Sequence, residues 1–154
     1  MNKKLWIIIL LMFFILNACT TNGKESNQNL GNEPPQPKLT ADGKRIRIYQ
    51  SSYCWSTKCV DYISPNEMLK DKDKDRIFKN ATIRIQFEGK QPTELVLTKY
   101  NQDEIAQETI TDNEFNVSST EGIYYYSLSA NWLIDKENRI GEGDSSYAFA
   151  IEVN

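Results

Sequence analysis

A chain of 154 residues, 40% hydrophobic and 25% charged, with a mean hydropathy of −0.56, has room for one small domain. Its formal net charge of −3, with no basic run, argues against nucleic acid as a partner. It contains no histidine, which excludes Ser-His-Asp and Cys-His catalysis and every histidine-containing metal site.

Lys3 and Lys4 precede an unbroken apolar run over residues 5–16, and Asn17-Ala18-Cys19 follows. A basic start, a short apolar stretch and small residues before a cleavage point describe an export signal. About a dozen apolar residues fall short of the roughly 20 that span a bilayer, so a cleaved leader is expected over residues 1–18. A cysteine directly after Leu16-Asn17-Ala18 resembles a bacterial lipobox. That resemblance implies that Cys19 receives a thioether-linked diacylglycerol and becomes the first residue of the mature chain. Two acyl chains exceed the single chain at which membrane attachment is marginal, so the expected location is the extracytoplasmic face of the cell membrane. Losing Lys3 and Lys4 would move the net charge from −3 to −5, leaving the lipid rather than a basic surface to hold the protein there.

Residues 19–38 read as a flexible tether. They are Asn, Gly, Ser, Glu, Gln and Pro for the most part, with Leu30 the one bulky apolar residue, too little to offset the entropy of ordering. Pro34, Pro35 and Pro37 stiffen its far end toward polyproline II. The folded domain is expected over residues 39–154. Asp42-Gly43 signals a turn, and residues 45–49 then alternate with period two.

With Cys19 assigned to the lipid, Cys54 and Cys59 remain as an even pair in an exported domain, where disulfides persist. The residues between them suit a hairpin loop that sets the two cysteines opposite each other. A redox role would call for Cys-x-x-Cys at a helix N-terminus, and zinc would need more than two thiols without imidazole. A structural disulfide is the expectation, with no metal and no cofactor. Trp55 falls inside this loop. A rigid aromatic at the tip of a bridged loop is a candidate contact residue, with neighbouring Tyr53, and with Tyr49, Tyr62 and Tyr125 where alternation does not bury them, extending the aromatic surface. The alternative folds the loop back and uses Trp55 as a lid on the sheet end.

Ser64-Pro65-Asn66-Glu67 reads as a helix start, with Ser64 as N-cap, Pro65 at the first helical position and Glu67 in a capping box. The charged run that follows limits the helix to one or two turns. Asp71, Asp73 and Asp75 suggest a calcium loop, but Arg76 stands where such a loop needs glycine and Thr82 where it needs glutamate. A solvated charged loop is the expectation.

After Ile77 the pattern is strand throughout, with short alternating runs about every ten residues and turn chemistry between them, as in an antiparallel sandwich. Residues 122–132 form the expected centre, with Tyr124, Tyr126, Leu128, Ala130 and Trp132 on the buried face. Gly122-x-Tyr124 resembles the tyrosine corner of immunoglobulin-like domains, although Tyr126 stands where a true immunoglobulin domain carries its second core cysteine. The last strand, residues 147–153, should run antiparallel beside it, joined by a polar loop over residues 135–144.

Tyr53-Cys54-Trp55, Cys59-Val60-Asp61-Tyr62, Pro65 and Gly122-x-Tyr124-Tyr125-Tyr126-Ser127 with Ala130 and Trp132 together resemble a group of small lipoproteins from spore-forming Gram-positive bacteria. The likeness runs over residues 38–153. It supports the class and transfers no catalytic or binding residue. The sequence thus describes an all-β, immunoglobulin-like sandwich with one short helix, behind a signal peptide and a tether. The expected role is that of a non-enzymatic binding module with a protein or cell-wall partner. Two readings from other classes stand beside it. One is an envelope enzyme using two carboxylates on carbohydrate. The other is a protective immunity or inhibitor lipoprotein.

Overall fold

The computed structural model describes residues 31–101 and 104–154. The expected signal peptide over residues 1–18, the lipidation at Cys19 and most of the tether lie outside the described residues. Within them, no helix is long and apolar enough to cross a membrane.

Two sheets pack face to face. The smaller is built from β1 (Pro37–Ala41), β2 (Lys44–Ile46), β6 (Thr82–Phe87) and β9 (Glu114–Asn116), in the order β2-β1-β6-β9. The larger is built from β3 (Tyr49–Trp55), β4 (Lys58–Val60), β7 (Glu94–Asn101), β8 (Glu104–Ile110), β10 (Gly122–Asp135) and β11 (Ile140–Val153), in the order β4-β3-β11-β10-β7-β8. One further strand, β5 (Asp75–Ile77), pairs in parallel with the end of β11, Ile151 opposite Asp75. Every other pairing is antiparallel. Over the described residues this is an all-β sandwich with a single short helix, α1 (Pro65–Leu69).

The period-two pattern of β10 decides the core. Tyr124, Tyr126, Leu128, Ala130 and Trp132 are all buried between the sheets, as alternation requires. They meet Tyr147, Phe149 and Ile151 of β11 and Ile83, Ile85 and Phe87 of β6. The Tyr126 ring stacks on Phe149 at 4.9 Å between centroids and 6° between planes. The tyrosine corner forms: the Tyr124 hydroxyl donates to the Thr120 carbonyl at 3.0 Å and accepts from Ser118 Oγ at 3.1 Å. Gly122 enters the strand at φ 148°, with the Tyr124 ring 3.7 Å from where a Cβ would sit.

Several boundaries differ from the sequence expectation. The alternating run 45–49 is not one strand. β2 belongs to one sheet and β3 to the other, and the chain changes sheet at Arg47-Ile48. Arg47 is clamped there: its backbone N–H donates to Asp75 Oδ2 at 2.8 Å, and its guanidinium reaches Asp75 at 3.0 Å and Asp73 at 3.1 Å. Asp73 and Asp75 of the charged loop are therefore partners of an arginine, and hydrogen bonding to Asp75 is the main cause that raises the Arg47 pKa. Ser64 accepts the Met68 N–H through its carbonyl at 2.9 Å, but its side chain makes no cap hydrogen bond, so the capping box is not formed.

Strand β1 begins at Pro37, inside the stretch expected to be tether. Pro34 and Pro37 are buried, the Tyr147 hydroxyl donates to the Pro35 carbonyl, and Gln36 Nε2 donates to Gln50 Oε1 at 2.6 Å. Proline is tolerated here because Pro37 is the first residue of its strand and lies beyond the reach of β2, which pairs only with residues 39–41. Residues 135–144 are not a loop. β10 and β11 continue through them to a short turn, with Asp135 opposite Ile140. Asp135 Oδ1 accepts from the N–H groups of Glu137 (2.9 Å) and Asn138 (3.1 Å), and Oδ2 from Asn138 Nδ2 at 2.7 Å. These bonds, that from the Asn138 side chain first, hold the Asp135 carboxyl below its ordinary pKa.

Candidate functional site

Cys54 and Cys59 face each other across β3 and β4 with Cα atoms 4.1 Å apart, joined as a disulfide. The hairpin turn is Ser56-Thr57, and Ser56 adopts a positive φ of 55°. Trp55 is thus the last residue of a strand and not the tip of a loop. Because Cys54 points outward, Trp55 points inward, and only 2% of it is exposed. Its ring meets Trp132 edge-on at 4.9 Å, and Trp132 in turn donates from Nε1 to the Lys90 carbonyl at 3.1 Å. A Cβ on Gly143 of the facing strand would come within 2.6 Å of Trp55 Cε3. Trp55 is a core residue, and its assignment as an exposed contact is corrected. The signal that marks it in the sequence is Gly143, since glycine inside a strand accompanies the close approach of another group.

Tyr53 is half-buried against the core edge. Lys58 Nζ lies 5.8 Å from its ring centroid, and interaction with the Tyr53 hydroxyl holds the Lys58 pKa above its ordinary value. The hairpin therefore offers a partly occupied aromatic edge and not an open anchor. Among the described residues no cluster of three or more His, Cys, Asp or Glu side chains is placed to hold a metal ion.

Exposed apolar side chains occur at both ends of the sandwich: Ile134 and Ile140 at the β10–β11 turn near the hairpin, and Ile105 and Ile123 at the opposite end. Helix α1 lies on the outer face of the larger sheet, where Leu69 packs on Ala148 and Ala150 with Met68, Tyr49 and Tyr125 around it. Between this helix and the β7–β8 end of the sheet runs an open groove of about 1080 Å³. Tyr100 and Tyr125, opposite each other in register on β7 and β10, line it together with Ile105 and Ile123. Ile105 is 70% exposed and Ile123 47%. Both sit at outward-facing positions where alternation alone would place polar residues. Ser64 and Asn66 border the groove on the helix side and Glu121 at the β10 entry. Alternation along β10 places Ile123 and Tyr125 on the face opposite the core set, and of the two only Tyr125 was expected to join an aromatic surface. What distinguishes them is their position beside Tyr100 and Ile105, which only the strand register supplies.

Comparison with protein-family models, with curated proteins and with solved structures finds no match for this chain, so the groove and the disulfide hairpin are read on their geometry alone.

Proposed function

We propose that the protein is an exported, lipid-anchored binding module that engages a protein partner through the groove formed by Tyr100, Ile105, Ile123 and Tyr125. The observation that carries this reading is the groove itself. Two isoleucines and two tyrosines side by side on an outer sheet face, rimmed by polar residues, are the composition expected of a contact surface. Its placement is consistent with the anchor reading. The described chain enters along the β1 and β3 side near Tyr147, whereas the groove lies at the far end of β10, beside Gly122. A protein tethered at its N-terminus could then present the groove away from the membrane.

Photocrosslinking on intact cells tests the proposal. A photoreactive residue at Ile123 should capture a defined protein, and one at Lys58 on the disulfide hairpin should not. Ile105→Glu should remove the Ile123 adduct without altering the unfolding midpoint. Cys19→Ser should abolish acyl labelling of the protein. Equal capture from both positions, or an adduct indifferent to Ile105→Glu, would remove the groove from the account. Persistent acyl label would do the same for the anchor.

A further inference from the structure

The two sheets differ in width, and the mismatch leaves a seam open. The smaller sheet stops at the three residues of β9, while the larger continues through β7 to β8. Six of the seven β8 residues are exposed, so the inward side of β8 has no covering strand among the described residues. Beneath this overhang is a cleft of about 260 Å³. Lys99 of β7, Ala106 and Glu108 of β8, and Asn116 of β9 line it, together with Tyr126. Ala106 and Glu108 alternate with Ile105, so the cleft and the outer groove lie on opposite faces of the same strand.

Tyr126 is the unusual member. It is 2% exposed, and its hydroxyl has no hydrogen-bond partner among the described residues. Stacking on Phe149 fixes the ring, so the hydroxyl cannot swing to a partner elsewhere. A buried hydroxyl left unpaired costs stability, and each such group in a native core calls for an explanation. Among the described residues both strands beside the cleft are sheet edges, β8 of one sheet and β9 of the other, with backbone groups there available to a further strand. A strand added about 4.8 Å beyond β9 would cover the inward side of β8. Charge narrows the choice of strand. Of the two charged residues that line the cleft, Lys99 holds its ammonium 5.8 Å from the Tyr124 ring centroid, whereas exposed Glu108 makes no ion pair among the described residues and is left to meet a basic side chain.

We propose that the seam between β8 and β9 is a strand-addition site. It takes an extended segment of a partner protein that carries a basic side chain, pairs with the free edge of β9 and offers a hydrogen-bonding side chain to the Tyr126 hydroxyl.

The test titrates the isotopically labelled full-length chain, in detergent, with acetyl-Thr-Lys-Thr-Lys-Thr-amide and with its counterpart in which glutamate replaces lysine. The lysine peptide should give saturable amide shifts and slowed hydrogen exchange in residues 104–110 and 114–118. Tyr126→Phe should bind it about tenfold more weakly while melting no lower than the parent, because one neutral hydrogen bond to the ligand is lost and one unpaired group removed. Glu108→Lys, on the exposed rim, should abolish the preference for the lysine peptide. The proposal is overturned by an absence of saturable shifts or by shifts confined to the outer groove at Tyr100 and Tyr125. Equal binding of the two peptides, or undiminished affinity in Tyr126→Phe, would also overturn it. A Tyr126→Phe protein that melts lower would mean that the hydroxyl is already satisfied inside the domain, and would sink the idea as well.

Discussion

Trp55 shows how finely one position separates surface from core. Had the turn begun one residue earlier, the indole would have sat in the loop. With Ser56-Thr57 as the turn, Trp55 completes the strand and drops against Trp132. Gly143 is the other half of the arrangement. A methyl group there would meet the indole at 2.6 Å, well inside van der Waals contact, and the Cys54 carbonyl oxygen at 3.1 Å limits relief. Gly143→Ala should therefore cost about 1–3 kcal/mol through overpacking. Trp55→Ala should cost about 3–5 kcal/mol, as should Trp132→Ala, by leaving a cavity. The two sites touch, so their effects should not add: in a Trp55→Ala background, Gly143→Ala should cost little. Urea unfolding of the two single variants and the double variant measures this. Additive losses would mean that the indole is not what keeps residue 143 a glycine.

At the scale of elements, what could be read from the sequence was whatever depends on local pattern. The inward set of β10, the tyrosine corner and the Cys54–Cys59 pairing all follow from alternation, a Gly-x-Tyr entry and loop length. What could not be read depends on partners distant in the chain. The sheet change at Arg47-Ile48 is fixed by Asp73 and Asp75, far along the sequence, and the parallel strand β5 exists only because β11 extends past β3. The ordering of Pro34 and Pro37 likewise needs the Tyr147 hydroxyl and Gln50, which no tether composition reveals. The disulfide belongs to this scale because it closes one hairpin at the sheet edge, with β4 only three residues long. Closing so short a loop contributes about 2 kcal/mol in the chain-entropy model. Reduction should thus lower the melting midpoint by roughly 5–10 °C and leave the transition cooperative. Calorimetry with and without reductant decides it, and unfolding at room temperature on reduction would show that the bridge holds the sheet and not merely its edge hairpin.

For the molecule as a whole, pH probes the aromatic core that joins both sheets. The chain has no histidine, so no side chain at its ordinary pKa changes charge between about pH 5 and 8, and stability should be flat from pH 6 to 8. The alkaline limb is different. Burial disfavours the phenolate of Tyr147 and raises its pKa to about 12, and burial also raises that of Tyr126. In the unfolded chain both titrate near pH 10. Between about pH 10 and 12 the folded state therefore holds protons that the unfolded state has released, and stability must fall as pH rises. The contribution is fully present below pH 10 and is lost as pH climbs through the folded-state values. The urea midpoint should thus be level at neutral pH and decline above about pH 10. Tyr147→Phe and Tyr126→Phe should each shallow the decline, and the double variant should shallow it most, because neither phenylalanine can ionise. A decline that starts below pH 9, or one that the double variant leaves unchanged, would place the alkaline sensitivity outside this core.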